Sequence, residues 1–427
     1  MLVALVVSAF ALALFNFHAP NSIAAGSPKH VFVGVETGWD SNVTDCEALI
    51  DRVKGYTNLL VLASPLVLSD EALLNETCDY AYNAGMSILV YFGDLSYSSY
   101  FPPTSHTFTP SAWFTSAKER YGDRLLGIYF GDERGGKTLD QNAIDIFNPP
   151  DSYAEFADSF QQTSASVRDA ATLVHNLGAS VFTSDYALYW FDYKSGYDVV
   201  LAQFGWNNSR PLQIALTRGA ATTQGKAWGA IVTWTYDQPP YLETGAQLYN
   251  DMVLAYESGA AYVAIYDSSK GYQNTTLTQE HYDALKKFWT YTQSNPRTNG
   301  SPEVASALVL PQDYGFGFRN AGDSVWSVKP DDNWTRKLFS DVMNQINQAN
   351  STFDVVYADP EFQSTIQSKY GNLTYWPKDF ETNTTDYPVV KRRRSGPADR
   401  RAGPFRTLGD RTRSPGRATA GRCSGTD

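Results

Sequence analysis

The sequence predicts an α/β fold, a (β/α)8 TIM barrel followed by a small α/β accessory domain. Eight short apolar runs between residues 30 and 270 are separated by segments with a helical pattern. Strands that alternate with helices favour parallel pairing, and eight such units in about 240 residues suit a barrel of this type. Acidic and aromatic residues follow several runs directly. An open doubly wound sheet is the alternative.

The eight predicted strands are apolar or β-branched runs bounded by turn residues. They cover residues 30–35, 58–63, 87–92, 125–130, 180–183, 199–204, 230–234 and 261–266.

Two predicted helices between the strands have clear end signals. Apolar residues spaced at 3.6-residue periodicity, Phe156 among them, predict one helix over 151–177, which Gly178 ends. A second helix is expected over 244–258, and Gly259 ends it.

The predicted barrel spans residues 28–293, and a polar linker at 294–302 separates it from an accessory domain at 303–388. Within that domain the pattern predicts strands at 307–310, 353–357 and 373–376, and an amphipathic helix at 334–347.

The first 25 residues have the character of a signal peptide. An apolar run over 2–17 precedes small residues that suit cleavage after Ala24 or Ala25. No Lys or Arg precedes the run, so an uncleaved anchor stays open as the alternative.

Nine Asn-x-Ser/Thr triplets support export independently. They begin at Asn42, Asn75, Asn207, Asn274, Asn299, Asn333, Asn350, Asn372 and Asn383. We therefore expect a secreted or cell-surface glycoprotein. In an oxidising compartment Cys46 and Cys78 are expected to form a disulfide.

The composition changes sharply in the last segment, residues 389–427. Residues 391–427 contain 11 Lys+Arg and 3 Asp+Glu, which leaves a formal net charge of −19 on the rest of the chain. So acidic a body is a poor nucleic-acid partner. The tail has too few apolar residues to form a core, so we expect disorder. It is interpreted either as a frameshifted end or as a basic tail for an acidic partner.

The residues that could carry chemistry lie at the ends of predicted strands. The segment from Gly127 to Gly136 stops an apolar strand at Asp132 and Glu133 and continues into a glycine turn. Because neighbouring strand residues point to opposite faces, Glu133 is expected to face the barrel mouth and Asp132 the helices, unless the turn has already begun at Asp132. Glu36 closes the first strand and Asp185 the fifth.

These carboxyl groups and their aromatic neighbours favour glycoside hydrolysis, which needs two carboxyl groups. Glu133 is the expected general acid, Asp185 or Glu36 the nucleophile or base, and Asp132 a charge-tuning neighbour. The expected carbohydrate-binding residues are Trp39, Tyr186, Trp190, Gln203, Trp206, Trp234, Tyr236 and Asp237. The sequence has no P-loop, no Gly-x-Ser-x-Gly and no His pair at metal-ligand spacing, so we expect neither cofactor nor metal.

Two resemblances accompany this interpretation. The stretch from Leu125 to Glu133 looks like the fourth barrel strand of secreted glycoside hydrolases, in which the terminal Glu is the general acid. More broadly, residues 30–376 resemble exported archaeal proteins of unestablished activity with a glycosidase-like barrel. The segments that carry this resemblance are 127–136, 183–193, 228–234 and 307–315.

The sequence and its resemblances together imply a secreted glycoside hydrolase-like protein that acts on an extracellular polysaccharide or glycan. The alternative is a non-catalytic glycan-binding or cell-surface protein on a degenerate barrel. A second carboxyl group across an open cleft from Glu133 favours the enzyme. Acids that pair with Lys or Arg favour the binding protein.

Overall fold

A computed structural model describes residues 31–92, 108–141, 150, 152–162, 165–269, 275–297, 303–327, 332–349 and 352–376. All of them fall within one compact unit, Met1–Val390, and Lys391–Asp427 forms the other unit. The expected signal peptide, the basic tail and the glycosylation triplets at Asn274, Asn299, Asn350 and Asn383 lie outside the described residues.

Eight parallel strands close into a barrel in chain order, which confirms the predicted (β/α)8 fold and excludes the open sheet. The last strand returns to the first, with Phe32 opposite Tyr262. The strands are β1 (Phe32–Glu36), β2 (Leu59–Leu62), β3 (Ser87–Tyr91), β4 (Leu125–Tyr129), β5 (Ser180–Asp185), β6 (Val199–Phe204), β7 (Ala227–Val232) and β8 (Tyr262–Ile265).

Helices surround the barrel and join its strands. They are α1 (Val43–Val53), α2 (Pro65–Leu68), α3 (Glu71–Asn83), α4 (Pro110–Tyr121), α5 (Arg134–Gln141), α6 (Tyr153–Gln162), α7 (Ala165–Asn176), α8 (Tyr189–Lys194), α9 (Arg210–Thr223), α10 (Gly245–Glu257) and α11 (Gln279–Ser294). Helices α6 and α7 both lie within the range predicted for a helix, residues 151–177. Within the described ranges, no helix combines the length and the apolar character needed to cross a bilayer.

Alternating side chains along the strands divide the core into two layers. One set packs outward against the helices, and the other fills the barrel, where Leu59, Phe182 and Leu201 are almost completely buried. The strand residues are buried on both faces, which explains why the runs are nearly continuous in apolar residues.

A three-stranded parallel sheet follows the barrel, in the order β10-β9-β11. Its strands are β9 (Ser306–Leu310), β10 (Phe353–Tyr357) and β11 (Asn372–Tyr375), with α12 (Asp332–Ala349) and α13 (Gln363–Lys369). Arg218 of α9 donates to Asp354 of β10 at 2.8 Å, and both side chains are buried. This ion pair joins the sheet to the barrel.

The predicted disulfide between Cys46 and Cys78 is absent from the structure, where both residues are buried free thiols. They lie on the core-facing sides of α1 and α3. Burial raises the pKa of the Cys46 thiol to about 12 and raises that of Cys78 strongly. Since thiol–disulfide exchange requires a thiolate, these two thiols are poorly reactive in the folded chain.

Candidate active site

A cleft of about 380 Å³ lies at the carboxyl ends of the barrel strands. Its lining combines three carboxyl groups, one cation and seven aromatic rings. The lining residues are Glu36, Trp39, Tyr91, Tyr129, Asp132, Glu133, Lys137, Ser184, Tyr186, Gln203, Trp206, Ile231, Thr233, Trp234 and Tyr266. The barrel therefore collects at one end the side-chain types that its strand termini predicted.

The chain turns directly after β4 and presents two neighbouring acids to the cleft. Gly131 and Glu133 have φ angles of 59° and 57°, in the left-handed region. This conformation is easily adopted by glycine but uncommon for glutamate. It breaks the strand alternation, so Asp132 and Glu133 both line the cleft. The turn has therefore already begun at Asp132, which is the case in which Asp132 was not expected to face the helices.

Asp132 is held by two hydroxyl groups. The Tyr129 hydroxyl and the Ser184 hydroxyl each lie 2.7 Å from Asp132 Oδ1 and donate to it. Gln203 Nε2 in turn donates to Ser184 Oγ at 2.8 Å. Side chains from three consecutive strands thus fix the orientation of this carboxylate.

Glu133 lies beside a lysine one helical turn further along the chain. Lys137 Nζ is 3.3 Å from Glu133 Oε2 and 4.0 Å from Asp132 Oδ2. Burial raises the pKa of Glu133, and the charge of Asp132 raises it further, whereas Lys137 and a hydrogen bond from Gln203 oppose the rise. The side chain is 25% exposed, so its carboxyl group is accessible from the cleft.

Glu36 enters the cleft from β1 and is only 4% exposed. Burial raises its pKa well above the usual value, and the charges of Asp132, Glu133 and Asp267 add to the effect. Its Oε2 has no hydrogen-bond partner within the described part of the chain. A buried carboxyl group of this kind favours the neutral form and is available to hydrogen-bond a ligand.

Asp185 has a structural position away from the cleft lining. Its carboxylate accepts hydrogen bonds from the backbone N–H groups of Gly135 at 2.5 Å, Gly136 at 2.8 Å, Tyr186 at 2.7 Å and Ala187 at 3.1 Å. It therefore binds the start of α5 to the end of β5. The structure therefore does not bring this expected nucleophile or base together with Glu133 in the cleft.

Most of the expected binding residues are brought together. Trp39, Tyr186, Gln203, Trp206 and Trp234 line the cleft. The Tyr186 and Trp206 rings meet edge to face, with centroids 5.5 Å apart.

Three other expected binding residues lie elsewhere. Trp190 is buried in α8 and packs on Tyr357 and Phe362 of the accessory region. Tyr236 is 45% exposed, and neither it nor the exposed Asp237 lines the cleft. Their loop turns outward after β7, so proximity to a strand end does not bring them into the site.

Several cleft residues were missed by the sequence analysis. They are Tyr91, Tyr129, Lys137, Ser184, Ile231, Thr233 and Tyr266. Tyr91 and Tyr129 are the last residues of β3 and β4, and Lys137 lies four residues after Glu133. Their positions at strand ends and at helical spacing could therefore have been used to predict these three residues from the sequence. Among the described residues, no group of three or more His, Cys, Asp or Glu is arranged to hold a metal ion.

Comparison with solved structures finds several similar proteins, each less than 15% identical to this chain. A GH5_18 protein from Streptomyces cattleya, in complex with GlcNAc, is 13% identical with a TM-score of 0.46, covering 81% of this chain and 98% of that chain. The exo-β-1,4-mannosidase Op5Man5 from Opitutaceae bacterium strain TAV5 is 12% identical with a TM-score of 0.47, covering 81% and 72%.

A β-1,4-D-mannanase from Cryptopygus antarcticus is 12% identical with a TM-score of 0.43, covering 64% of this chain and 92% of that chain. No protein-family model matches the chain, and no curated protein matches it. The assignment of the barrel rests on the strand order of this chain itself.

Proposed function

We propose that this protein hydrolyses a glycosidic bond in an extracellular polysaccharide or glycan by carboxyl-group acid/base catalysis. The observation that carries the proposal is the convergence of Asp132, Glu133 and Glu36 on one cleft from opposite parts of the barrel. Glycoside hydrolysis needs one carboxyl group to protonate the leaving oxygen and another to attack or to activate water.

The environments of the three groups suggest a division of roles. Glu133 is accessible, has a raised pKa and serves as the general acid. Asp132 is fixed by two hydroxyl donors and serves as the nucleophile or base. Glu36 is too deeply buried to carry a charge easily, so it serves as a neutral hydrogen-bonding group for the substrate.

The rest of the cleft suits a carbohydrate. Aromatic rings supply flat apolar faces for stacking, and Tyr186 and Trp206 form one such pair. Two buried acceptor atoms, Glu36 Oε2 and Gln203 Oε1, have no partner within the described residues. A ligand rich in hydroxyl groups would satisfy both of them.

The proposed location is the cell exterior, as a secreted or cell-surface glycoprotein. Of the nine triplets, five lie within the described residues, and Asn42, Asn207, Asn333 and Asn372 among them are exposed. Exposed asparagines on the folded surface are what attachment of glycans requires. Asn75 is partly buried and accepts a hydrogen bond from Trp113 Nε1 at 2.8 Å.

A second candidate function is glycan binding without hydrolysis. The ion pair of Lys137 with Glu133 favours it, because an acid that stays paired with a cation does not readily donate its proton. The two functions predict the same ligand class and differ only in turnover.

A hydrolysis screen over a broad glycan panel tests the proposal. We expect the wild-type protein to release reducing ends from at least one glycan and the Asp132→Asn variant to release none above background. The matched control is Asp169→Asn, which alters an exposed acid on α7 that does not line the cleft. If wild-type protein binds a glycan without releasing reducing ends, the binding function replaces hydrolysis.

A further inference from the structure

One arginine of the accessory region lies near the wall of the cleft. Arg319 belongs to the segment between β9 and α12, and its side chain is 17% exposed. Asp323 of the same segment holds it at two points, with Nη2 2.6 Å from Oδ1 and Nε 2.9 Å from Oδ2. Such a two-pronged contact fixes the plane of the guanidinium group.

The third guanidinium nitrogen links this segment to the barrel. Arg319 Nη1 is 2.5 Å from Asp140 Oδ1, and Asp140 lies on α5, the helix that begins directly after Glu133. The other oxygen of Asp140 accepts a hydrogen bond from the Tyr186 hydroxyl at 2.6 Å. The guanidinium carbon is 5.6 Å from the centre of the Tyr186 ring. These three residues therefore form a closed triangle.

Tyr186 is confined on its other sides as well. Its ring packs directly over Gly136, where an added Cβ would lie 2.0 Å from the ring carbon Cζ. Its edge contacts Trp206, with ring centroids 5.5 Å apart. The ring is thus held by packing, and its hydroxyl group is held by Asp140 and, through it, by Arg319.

We propose that Arg319 is a positioning residue for the aromatic subsite formed by Tyr186 and Trp206, which makes the accessory region part of the sugar-binding apparatus. The inference rests on the proposed function. A stacking surface binds well when its orientation is fixed before the ligand arrives, because no rotamer freedom is then lost on binding. Arg319 fixes the orientation of the Tyr186 ring indirectly, because it neutralises and orients the Asp140 carboxylate that accepts the hydrogen bond of the Tyr186 hydroxyl.

The chain contains a matched control for this triangle. Arg120 pairs with Asp79, the Tyr121 hydroxyl donates to Asp79 Oδ1 at 2.9 Å, and the guanidinium carbon is 5.6 Å from the Tyr121 ring centre. None of these three residues lines the cleft. Arg120→Ala therefore removes the same kind of contact without affecting the subsite.

The test uses the full chain with 3-fluorotyrosine incorporated, in wild type and in the Arg319→Ala, Arg120→Ala and Tyr186→Phe variants. The fluorine resonance of Tyr186 is the one that disappears in Tyr186→Phe. We expect Arg319→Ala to shift or broaden this resonance and Arg120→Ala to leave it unchanged. An unchanged resonance in Arg319→Ala, or an equal change in Arg120→Ala, would overturn the positioning role.

Kinetics on a sugar substrate supply the second readout. Arg319→Ala and Tyr186→Phe should each raise KM about tenfold while changing kcat by less than about threefold. The KM of the double variant should be no higher than that of either single variant, because both substitutions break the same connection from Arg319 through Asp140 to Tyr186. An altered resonance with an unchanged KM would contradict the proposal that Tyr186 and Trp206 form a sugar-binding subsite. If the resonance changes in Arg319→Ala but the wild-type protein neither binds nor hydrolyses any sugar, the positioning role of Arg319 is supported and the proposed glycoside hydrolysis is contradicted.

Discussion

The Glu133→Gln variant should lose a factor of roughly 10²–10⁴ in hydrolysis rate, the contribution typical of a positioned general acid. Glutamine keeps the shape of the side chain and removes the proton that the leaving oxygen needs. The backbone N–H of Glu133 still donates to Ser184 O at 2.9 Å, so the local fold should persist. Initial rates on a substrate from the glycan screen, with circular dichroism for the fold, measure the effect.

Glu36→Gln is the matched control, because it makes the same substitution in the same cleft. If Glu36 is neutral in the native protein, an uncharged amide reproduces much of its hydrogen bonding, and the loss should stay below about tenfold. The difference in hydrolysis rate between the two variants separates the effect of losing a proton donor from the effect of losing an acidic group in the cleft. A larger loss of hydrolysis rate for Glu36→Gln than for Glu133→Gln would mean that Glu36 is the general acid and that Glu133 is the hydrogen-bonding group.

The Arg218→Met variant should show the largest loss of stability. Arg218 and Asp354 are 2% and 1% exposed, and the guanidinium group also donates to Phe353 O at 3.2 Å. Removing one partner leaves a buried carboxylate without its cation, which costs about 3–5 kcal/mol in proteins. Urea unfolding followed by fluorescence measures the change in the free energy of unfolding.

Lys337→Met provides the comparison for that stability effect. Lys337 and Asp341 form an exposed pair, 73% and 37% exposed, on α12 of the same accessory region. Its loss should change the free energy of unfolding by less than about 1 kcal/mol. A loss of similar size for both variants would mean that the Arg218 pair is not buried in solution.

The barrel could be predicted because its signals are local and repeated. Strand β6 is observed over Val199–Phe204, as expected from an apolar run between turn residues. The helical pattern over 151–177 likewise agrees with the described helices α6 and α7, since apolar periodicity indicates which face of a helix is buried.

The cleft was less predictable because it depends on where the chain turns after each strand. Gly131 and Glu133 adopt the left-handed backbone conformation, which brings Asp132 into the cleft. Of these two residues, only the glycine indicates a turn in the sequence. Asp185 follows the same pattern of a strand ending in an acid, yet its carboxylate binds four backbone N–H groups. A strand-end acid in a sequence predicts a functional residue only when its backbone neighbours leave it unoccupied.

The Lys137 contact shows a further limit of sequence reasoning. Its spacing of four residues from Glu133 is the spacing of helical ion pairs, but the two residues lie on a turn and a helix start.

A crystal structure of the Glu133→Gln variant with a glycan hydrolysed by wild type tests the central claim most directly. We expect the scissile oxygen within hydrogen-bonding distance of the amide at position 133, about 2.6–3.2 Å, with the anomeric carbon facing Asp132 and one sugar ring against Tyr186 and Trp206. A glycan bound outside this cleft, or one whose glycosidic oxygens all lie beyond the reach of position 133 and Asp132, would contradict it.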